Sequence, residues 1–149
     1  MVDAERFVAV LGRVTARVRT LEAYALVEHA ALLADEVRLG HLKYTFQTAI
    51  EACLDAAQHV VADHGLGVPT SNADAFRLLG RAGLLDADLA ASMAGAAGFR
   101  NVLVHDYAEV DDRLVVANLE RIEELRRFVA AMVRLLESPE DPADPPKSS

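Results

Sequence analysis

Hydrophobic residues recur at three- and four-residue steps along most of the chain, the spacing that places side chains on one face of an α-helix. The first such run is Phe7, Val10, Leu11, Val14, Val18 and Leu21. It predicts an amphipathic helix from about Asp3, near the N-cap, to Ala23, with a shorter helical stretch over 26–33. The same spacing continues at Phe46, Ile50, Cys53, Ala57, Val60 and Val61. It predicts a long helix over 35–64.

The loop after the long helix contains two glycines and a proline, which end helices through backbone freedom and a missing N–H donor. Ser71 is followed by Asp74, a spacing that resembles a capping box. We therefore predict a short helix that begins after Ser71 and ends near Gly83. Asp86 is placed to cap the helix that follows.

Two further helices complete the predicted fold. One runs from Asp86 or Ala87 to about Val104, and its many alanines favour close approach to a neighbouring helix or to a second subunit. The last begins at Asp111 or Asp112. Its predicted apolar stripe is Val115, Leu119, Ile122, Val129, Val133 and Leu136. With no strand required, the sequence predicts an all-α antiparallel bundle of five or six helices.

Composition limits the domain organisation. With 149 residues, of which 52% are hydrophobic, the chain can bury one core, and we predict a single domain over residues 1–137. Residues 138–149 contain four prolines and little hydrophobic content, and they are predicted to be a disordered acidic tail. No apolar run approaches the roughly 18 residues of a membrane span, and no signal peptide is evident, so a cytoplasmic location is expected. Cys53, the only cysteine, is predicted to be a core thiol.

The net charge of −8 is unusual for a protein that binds nucleic acid, because phosphate binding normally relies on basic surface. The tail contributes little of this charge, so the body itself is acidic. Any site that binds nucleic acid must therefore be locally basic.

Residues 100–107 combine a permanent cation, an imidazole and a phenol. Arg100 offers a planar fork of donors to phosphoryl oxygens, and His105 can move a proton near neutral pH. Tyr107 has a hydroxyl that can donate, accept or be modified. These groups suit phosphate chemistry.

An arginine, four intervening residues, a histidine and then a tyrosine two positions later resemble the signature of HEPN ribonuclease toxins. Asn101 beside the arginine makes the motif most similar to the HepT type, whose partner is a minimal nucleotidyltransferase antitoxin. Residues 42–60 resemble the long helix of that family, and residues 72–85 its short helix. The resemblance covers about residues 36 to 136.

The resemblance implies a toxin that is a metal-independent endoribonuclease and acts as a homodimer, without a cofactor or metal site. Arg100 and His105 are its implied catalytic residues, and the 2′-hydroxyl of RNA attacks the adjacent phosphodiester. Asn101 and Tyr107 are implied to support the site. Tyr107 is also the implied acceptor of adenylyl groups from the nucleotidyltransferase, which silence the enzyme.

Helical geometry restricts how this motif can work. At about 100° per residue, Tyr107 points almost along Arg100 on a continuous helix, whereas His105 lies roughly 140° away. We therefore predict either that the helix ends near His105, so that a turn brings His105 and Tyr107 back towards Arg100, or that a second chain completes the cleft. The acidic residues after His105 favour an ending there, because they are unfavourable at a helix C-terminus.

Three alternatives remain open from the residues alone. The first alternative is a non-catalytic HEPN module that binds a nucleotidyltransferase or a nucleotide. The second is a helical dimer whose polar motif only stabilises the interface. In the plainest case Arg100 is a surface residue paired with Asp106 or Glu109.

Two other pairs in the long helix have possible roles. Asp55 and His59, one turn apart, share a helix face, and we favour a capping or cleft-edge role for His59 and His64 over metal binding. Lys43 and Tyr44 are predicted to be a solvated lysine and a core tyrosine, with a position near RNA as the alternative.

Overall fold

The computed structural model describes residues 3–137, which form seven α-helices and two 3-10 turns, with no strand in that range. The helices are α1 (Ala4–Ala25), α2 (His29–Leu33), α3 (Glu36–Asp63), α4 (Asn72–Arg81), α5 (Ala87–His105), α6 (Asp112–Ala117) and α7 (Ile122–Glu137). The 3-10 turns are Tyr107–Glu109 and Asn118–Arg121. The all-α prediction is confirmed. The predicted tail, 138–149, lies outside the described residues.

Two of the predicted capping residues, Asp3 and Ser71, cap their helices, whereas Asp86 occupies the N-cap position of α5 without a side-chain cap hydrogen bond. Asp3 accepts a hydrogen bond from the backbone of Arg6. Ser71 accepts one from the backbone N–H of Asp74 at 3.1 Å, as a capping box requires. The second hydrogen bond of a capping box, from the N-cap N–H to the side chain three residues later, is replaced here. The Asp74 carboxylate accepts from the N–H of Thr70 at 2.9 Å, not from that of Ser71. This backbone hydrogen bond lowers the pKa of Asp74 below its usual value.

Helix α3 forms the centre of the core and packs against α1, α4 and α5. Its buried side chains include Leu42, Phe46, Ile50, Cys53, Ala57 and Val60. Cys53 is fully buried, and this burial raises the pKa of its thiol well above the usual range. The prediction of a core thiol is therefore confirmed.

Helices α4 and α5 approach each other closely at Gly80. A Cβ atom at Gly80 would lie only 2.6 Å from the Cβ of Ala90, so no larger residue fits without movement. Ala90, Ala94 and Ala97 are buried, which confirms close helix approach as one role of the alanine-rich sequence. Ala91, in contrast, is exposed.

The predicted apolar stripe of the last helix is confirmed only in part in its second half, where Val129 and Leu136 pack against the core but are not fully buried. The 3-10 turn over Asn118–Arg121 interrupts the helix, and each 3-10 residue turns the chain about 20° more than an α-helical residue does. The buried face of α7 therefore passes through Leu125, Phe128 and Met132. Val133, predicted to be in the stripe, is exposed.

Within residues 3–137, no helix is both long enough and apolar enough to cross a membrane.

Candidate functional site

The motif lies at the end of α5, where the chain leaves the helix. Arg100 and Asn101 are in the last two turns, and His105 is the final helical residue. The N–H of Asp106 donates to the carbonyl of Val102 at 2.8 Å and closes the last turn. The prediction that the helix ends near His105 is confirmed. Tyr107 then begins a 3-10 turn.

The Arg100 side chain turns inward, towards α3. Its Nε and Nη2 donate to one oxygen of Glu51, Oε2, at 3.0 and 2.9 Å. Its Nη1 donates to Oδ1 of Asn101 at 3.1 Å. The alternative in which Arg100 pairs with Asp106 or Glu109 is therefore wrong, because the carboxylate that faces the guanidinium comes from α3.

Two more polar side chains extend this contact. Gln47 donates from Nε2 to Glu51 Oε2 at 3.2 Å, and Asn72 of α4 reaches Asn101 Oδ1 from its Nδ2 at 3.5 Å. The network joins α3, α4 and α5 around the guanidinium. Only 22% of the Arg100 side chain is exposed, so its orientation is fixed by these contacts. Asn101 contacts Arg100 directly.

His105 is placed differently. It is exposed at the C-terminal end of α5, and its imidazole has no hydrogen bond or ion pair with any other described residue. Arg100 faces α3, whereas His105 faces solvent. Within one chain, the fold fixes the cation and leaves the imidazole accessible.

Tyr107 packs on the N-terminal half of α3. The Lys43 ammonium lies 4.7 Å from the centre of its ring, and the Tyr107 hydroxyl is beside Gly40. Lys43 and Glu51 are eight residues apart on α3, a rise of about 12 Å. The turn after His105 therefore carries Tyr107 to Lys43 and not back to Arg100. Of the two predicted arrangements, the one in which a second chain completes the cleft remains.

A family model described as Ribonuclease HepT-like matches residues 15–132, which include the whole motif. The chain belongs to this family. The family is one of ribonucleases, in agreement with the resemblance of the motif and of the helices around it.

Individual relatives of the chain also carry HepT names. The chain is 34% identical over 84 residues to "mRNA nuclease HepT" of Shewanella oneidensis, a match that covers 56% of this chain and 63% of that protein. It is 27% identical over 105 residues to "tRNA nuclease HepT" of Aphanizomenon flos-aquae, covering 70% and 69% of the two chains.

A solved structure of the tri-AMPylated Shewanella oneidensis HEPN toxin in complex with its MNT antitoxin shares the fold. The TM-score is 0.80 at 24% identity, over 90% of this chain and 99% of that one. At this level of identity the likeness extends to the fold alone.

The exposures of Lys43 and Tyr44 in this HepT-like chain are the reverse of those predicted. Lys43 is buried, with only 9% of its surface exposed, because it shares the inward face of α3 with Leu39 and Phe46. Its ammonium forms an ion pair with Asp112 at 2.8 Å. Tyr44, one residue on, points outward and is 52% exposed.

The predicted proximity of Asp55 and His59 is confirmed, because His59 Nε2 lies 3.2 Å from Asp55 Oδ1. Arg13 of α1 also contacts this carboxylate at 3.0 Å. Over residues 3–137, no three His, Cys, Asp or Glu side chains are grouped closely enough to hold a metal ion.

An apolar groove of about 240 Å³ runs beside the motif helix. Phe46 of α3, Phe99 and Val102 of α5, and Leu114 of α6 are among the residues that line it. Val102 is 37% exposed and Leu114 53% exposed. The HepT-like chain therefore leaves hydrophobic surface uncovered next to its motif.

Proposed function

We propose that this chain is the toxin of a toxin–antitoxin pair, an endoribonuclease that cleaves RNA in the cytoplasm without a metal ion. The observation that carries the proposal is a guanidinium held rigidly by Glu51 and Asn101, followed by the accessible imidazole of His105 on the same helix. Two relatives named as RNA nucleases support it. The antitoxin-bound toxin of similar fold supports the pairing.

Arg100 retains capacity for a ligand. A guanidinium has five N–H groups, and three of them donate to Glu51 or Asn101. Among the contacts of the described residues, one N–H on each terminal nitrogen remains available. These two donors suit the two non-bridging oxygens of a phosphodiester.

The proposed reaction is transesterification within RNA. The imidazole of His105 takes the proton of a 2′-hydroxyl, and the 2′-oxygen forms a bond to the adjacent phosphorus. The bond from phosphorus to the 5′-oxygen breaks, and the second histidine of a dimer returns a proton to that oxygen. Arg100 stabilises the negative charge that builds up on the phosphoryl oxygens. The products are a cyclic phosphate and a 5′-hydroxyl.

A homodimer supplies the second histidine. The exposed apolar residues of the groove lie on and beside α5, so their burial against a second chain brings two motif helices together. Removing this surface from water provides the driving force.

We predict that Leu114→Glu converts the dimer to monomer at micromolar concentration, because it places a charge in the apolar groove. Sedimentation velocity measures the change. Val8→Glu is the matched control, since Val8 is similarly exposed, at 55%, but lies on α1 away from the groove. A Leu114→Glu chain that stays dimeric would exclude this interface.

Tyr107 is the proposed site of adenylylation by a minimal nucleotidyltransferase antitoxin. The residue is 48% exposed and follows His105 by two positions, so a partner enzyme can approach it next to the motif. A phosphodiester added there places negative charge next to the motif, where it competes with RNA for cationic groups.

We predict that Tyr107→Phe abolishes the gain of AMP-sized mass when the chain is co-expressed with a minimal nucleotidyltransferase, such as that of the Shewanella oneidensis pair. Intact-protein mass spectrometry measures the modification. Tyr44→Phe is the matched control, because Tyr44 is similarly exposed, at 52%, but distant from the motif in sequence. Modification of the Tyr107→Phe chain would show that the acceptor is elsewhere.

The test of the proposed activity is cleavage of RNA by unmodified protein in excess chelator, with analysis of the new ends. Cyclic phosphate ends and activity that persists in chelator are expected. Activity that requires a divalent ion, or ends with a 5′-phosphate, would contradict the mechanism. Complete absence of cleavage by the unmodified dimer would favour the non-catalytic adaptor.

A further inference from the structure

We infer that Lys43 is a built-in receptor for a phosphate group carried on the hydroxyl of Tyr107, and that it exchanges its ion pair with Asp112 for one with that phosphate. The inference rests on the proposed modification of Tyr107. It adds a residue of α3, outside the motif, that holds the modified and silent form of the enzyme.

Lys43 is unusual for a lysine because its side chain is buried. It is 91% buried on the core-facing side of α3, where an unpaired ammonium would be costly. Two groups stabilise it, the carboxylate of Asp112 at 2.8 Å and the face of the Tyr107 ring at 4.7 Å. The ammonium therefore has a fixed place directly over the tyrosine that is proposed to be modified.

The geometry around the Tyr107 hydroxyl suits a phosphate. A Cβ atom at Gly40 would lie 3.6 Å from the hydroxyl oxygen, an ordinary contact distance, so the hydroxyl lies close to α3, the helix that carries Lys43. Rotation about the bond between the ring and the hydroxyl oxygen turns a non-bridging phosphate oxygen towards the ring face that carries the ammonium. A charge-assisted hydrogen bond to Lys43 is then within reach.

Asp112 is suited to giving up its partner. Its side chain is 46% exposed, so water replaces the ammonium at little cost. It lies in the first turn of α6, where the free N–H groups of the helix start favour a carboxylate. Lys43 is the more buried partner, so its ammonium needs an anion in place of Asp112, and the phosphate provides one. A phosphate on Tyr107 is thus held against α3 by Lys43 and is not left mobile in solvent.

The test places a phosphate on residue 107 without any partner enzyme. Phosphotyrosine is incorporated at position 107 by genetic code expansion, and its second ionisation is followed by ³¹P NMR during a pH titration. A nearby ammonium favours the dianion, so the midpoint should be lower by about half to one pH unit with Lys43 than in the Lys43→Met chain. Equal midpoints in the two chains would overturn the inference.

Arg17→Met is the matched control. Arg17 also lies over a tyrosine ring, that of Tyr44 at 5.7 Å, and its loss changes the net charge of the protein equally. It should leave the midpoint at position 107 unchanged. A shift as large as that of Lys43→Met would show that the effect comes from the net charge of the protein and not from the position of Lys43. Lys43→Gln serves as a second neutral variant if circular dichroism shows that Lys43→Met is misfolded.

The outcome is separable from that of the proposed function. Failure of a nucleotidyltransferase to modify Tyr107 contradicts the proposed regulation but leaves the phosphotyrosine titration unaffected. Normal adenylylation together with equal midpoints contradicts the receptor role of Lys43 alone.

Discussion

His105→Ala is expected to lower the rate of RNA cleavage by at least roughly 10²- to 10⁴-fold, the usual contribution of one general acid–base group, because the substituted dimer loses both its base and its acid. The imidazole has no hydrogen bond or ion pair within residues 3–137, so its removal leaves no buried partner unsatisfied. The fold should therefore be unchanged. Single-turnover cleavage of a labelled RNA by purified protein, at equal dimer concentration, measures the effect.

His64→Ala is the matched control for this experiment. His64 is also an exposed histidine at the C-terminal end of a helix, α3, but it is outside the motif. It should retain the wild-type rate. If the His105→Ala chain cleaves RNA as fast as the His64→Ala chain, His105 is not the proton-transfer group. Persistent activity of both His105→Ala and Arg100→Ala would remove the proposed mechanism entirely.

The second large effect concerns stability. Phe76→Ala is expected to lower the free energy of unfolding by about 3–5 kcal/mol, the range observed when a buried phenylalanine is truncated. Phe76 of α4 is fully buried, and its ring meets that of Phe128 of α7 edge-to-face, with centres 5.6 Å apart. The substitution leaves a cavity between the two helices. Urea unfolding at one fixed protein concentration measures the loss.

Phe99→Ala provides the comparison for Phe76→Ala. Phe99 also makes an edge-to-face contact, with Phe46 at 5.5 Å, but it is only partly buried at the groove. With both substitutions made in the Leu114→Glu chain, where no second chain is expected to cover the groove, truncation of Phe99 should cost clearly less, because less apolar surface returns to water. Equal costs for Phe99→Ala and Phe76→Ala would contradict the expectation that loss of stability follows the burial of the truncated ring.

The helices were largely predictable from the sequence because their signals are local. The apolar period and the caps at Asp3 and Ser71 lie within a few residues of the structures that they determine. The last helix was predicted less well. Its 3-10 turn shifts the apolar face, and a period read along a straight helix cannot include that shift.

The site was predictable only in part. The spacing of Arg100, His105 and Tyr107 identified the motif and the family, and the acidic residues after His105 indicated the helix end. Glu51, the partner of Arg100, was missed as a site residue. It lies on the predicted long helix, 49 positions earlier in the chain, and the sequence does not show which helix faces Arg100. The available signal was a glutamate one helical turn after Gln47, among apolar neighbours.

By itself, the sequence determined the helical elements, the ends of α5 and the chemical groups of the motif, since each depends on residues close together in the chain. Only the tertiary structure decided which helix meets Arg100 and where Tyr107 comes to lie. It also decided that Lys43 is buried and Tyr44 exposed, the reverse of the prediction. These outcomes depend on how α3, α5 and α6 pack, because burial and ion pairing are set by neighbours that are distant in sequence.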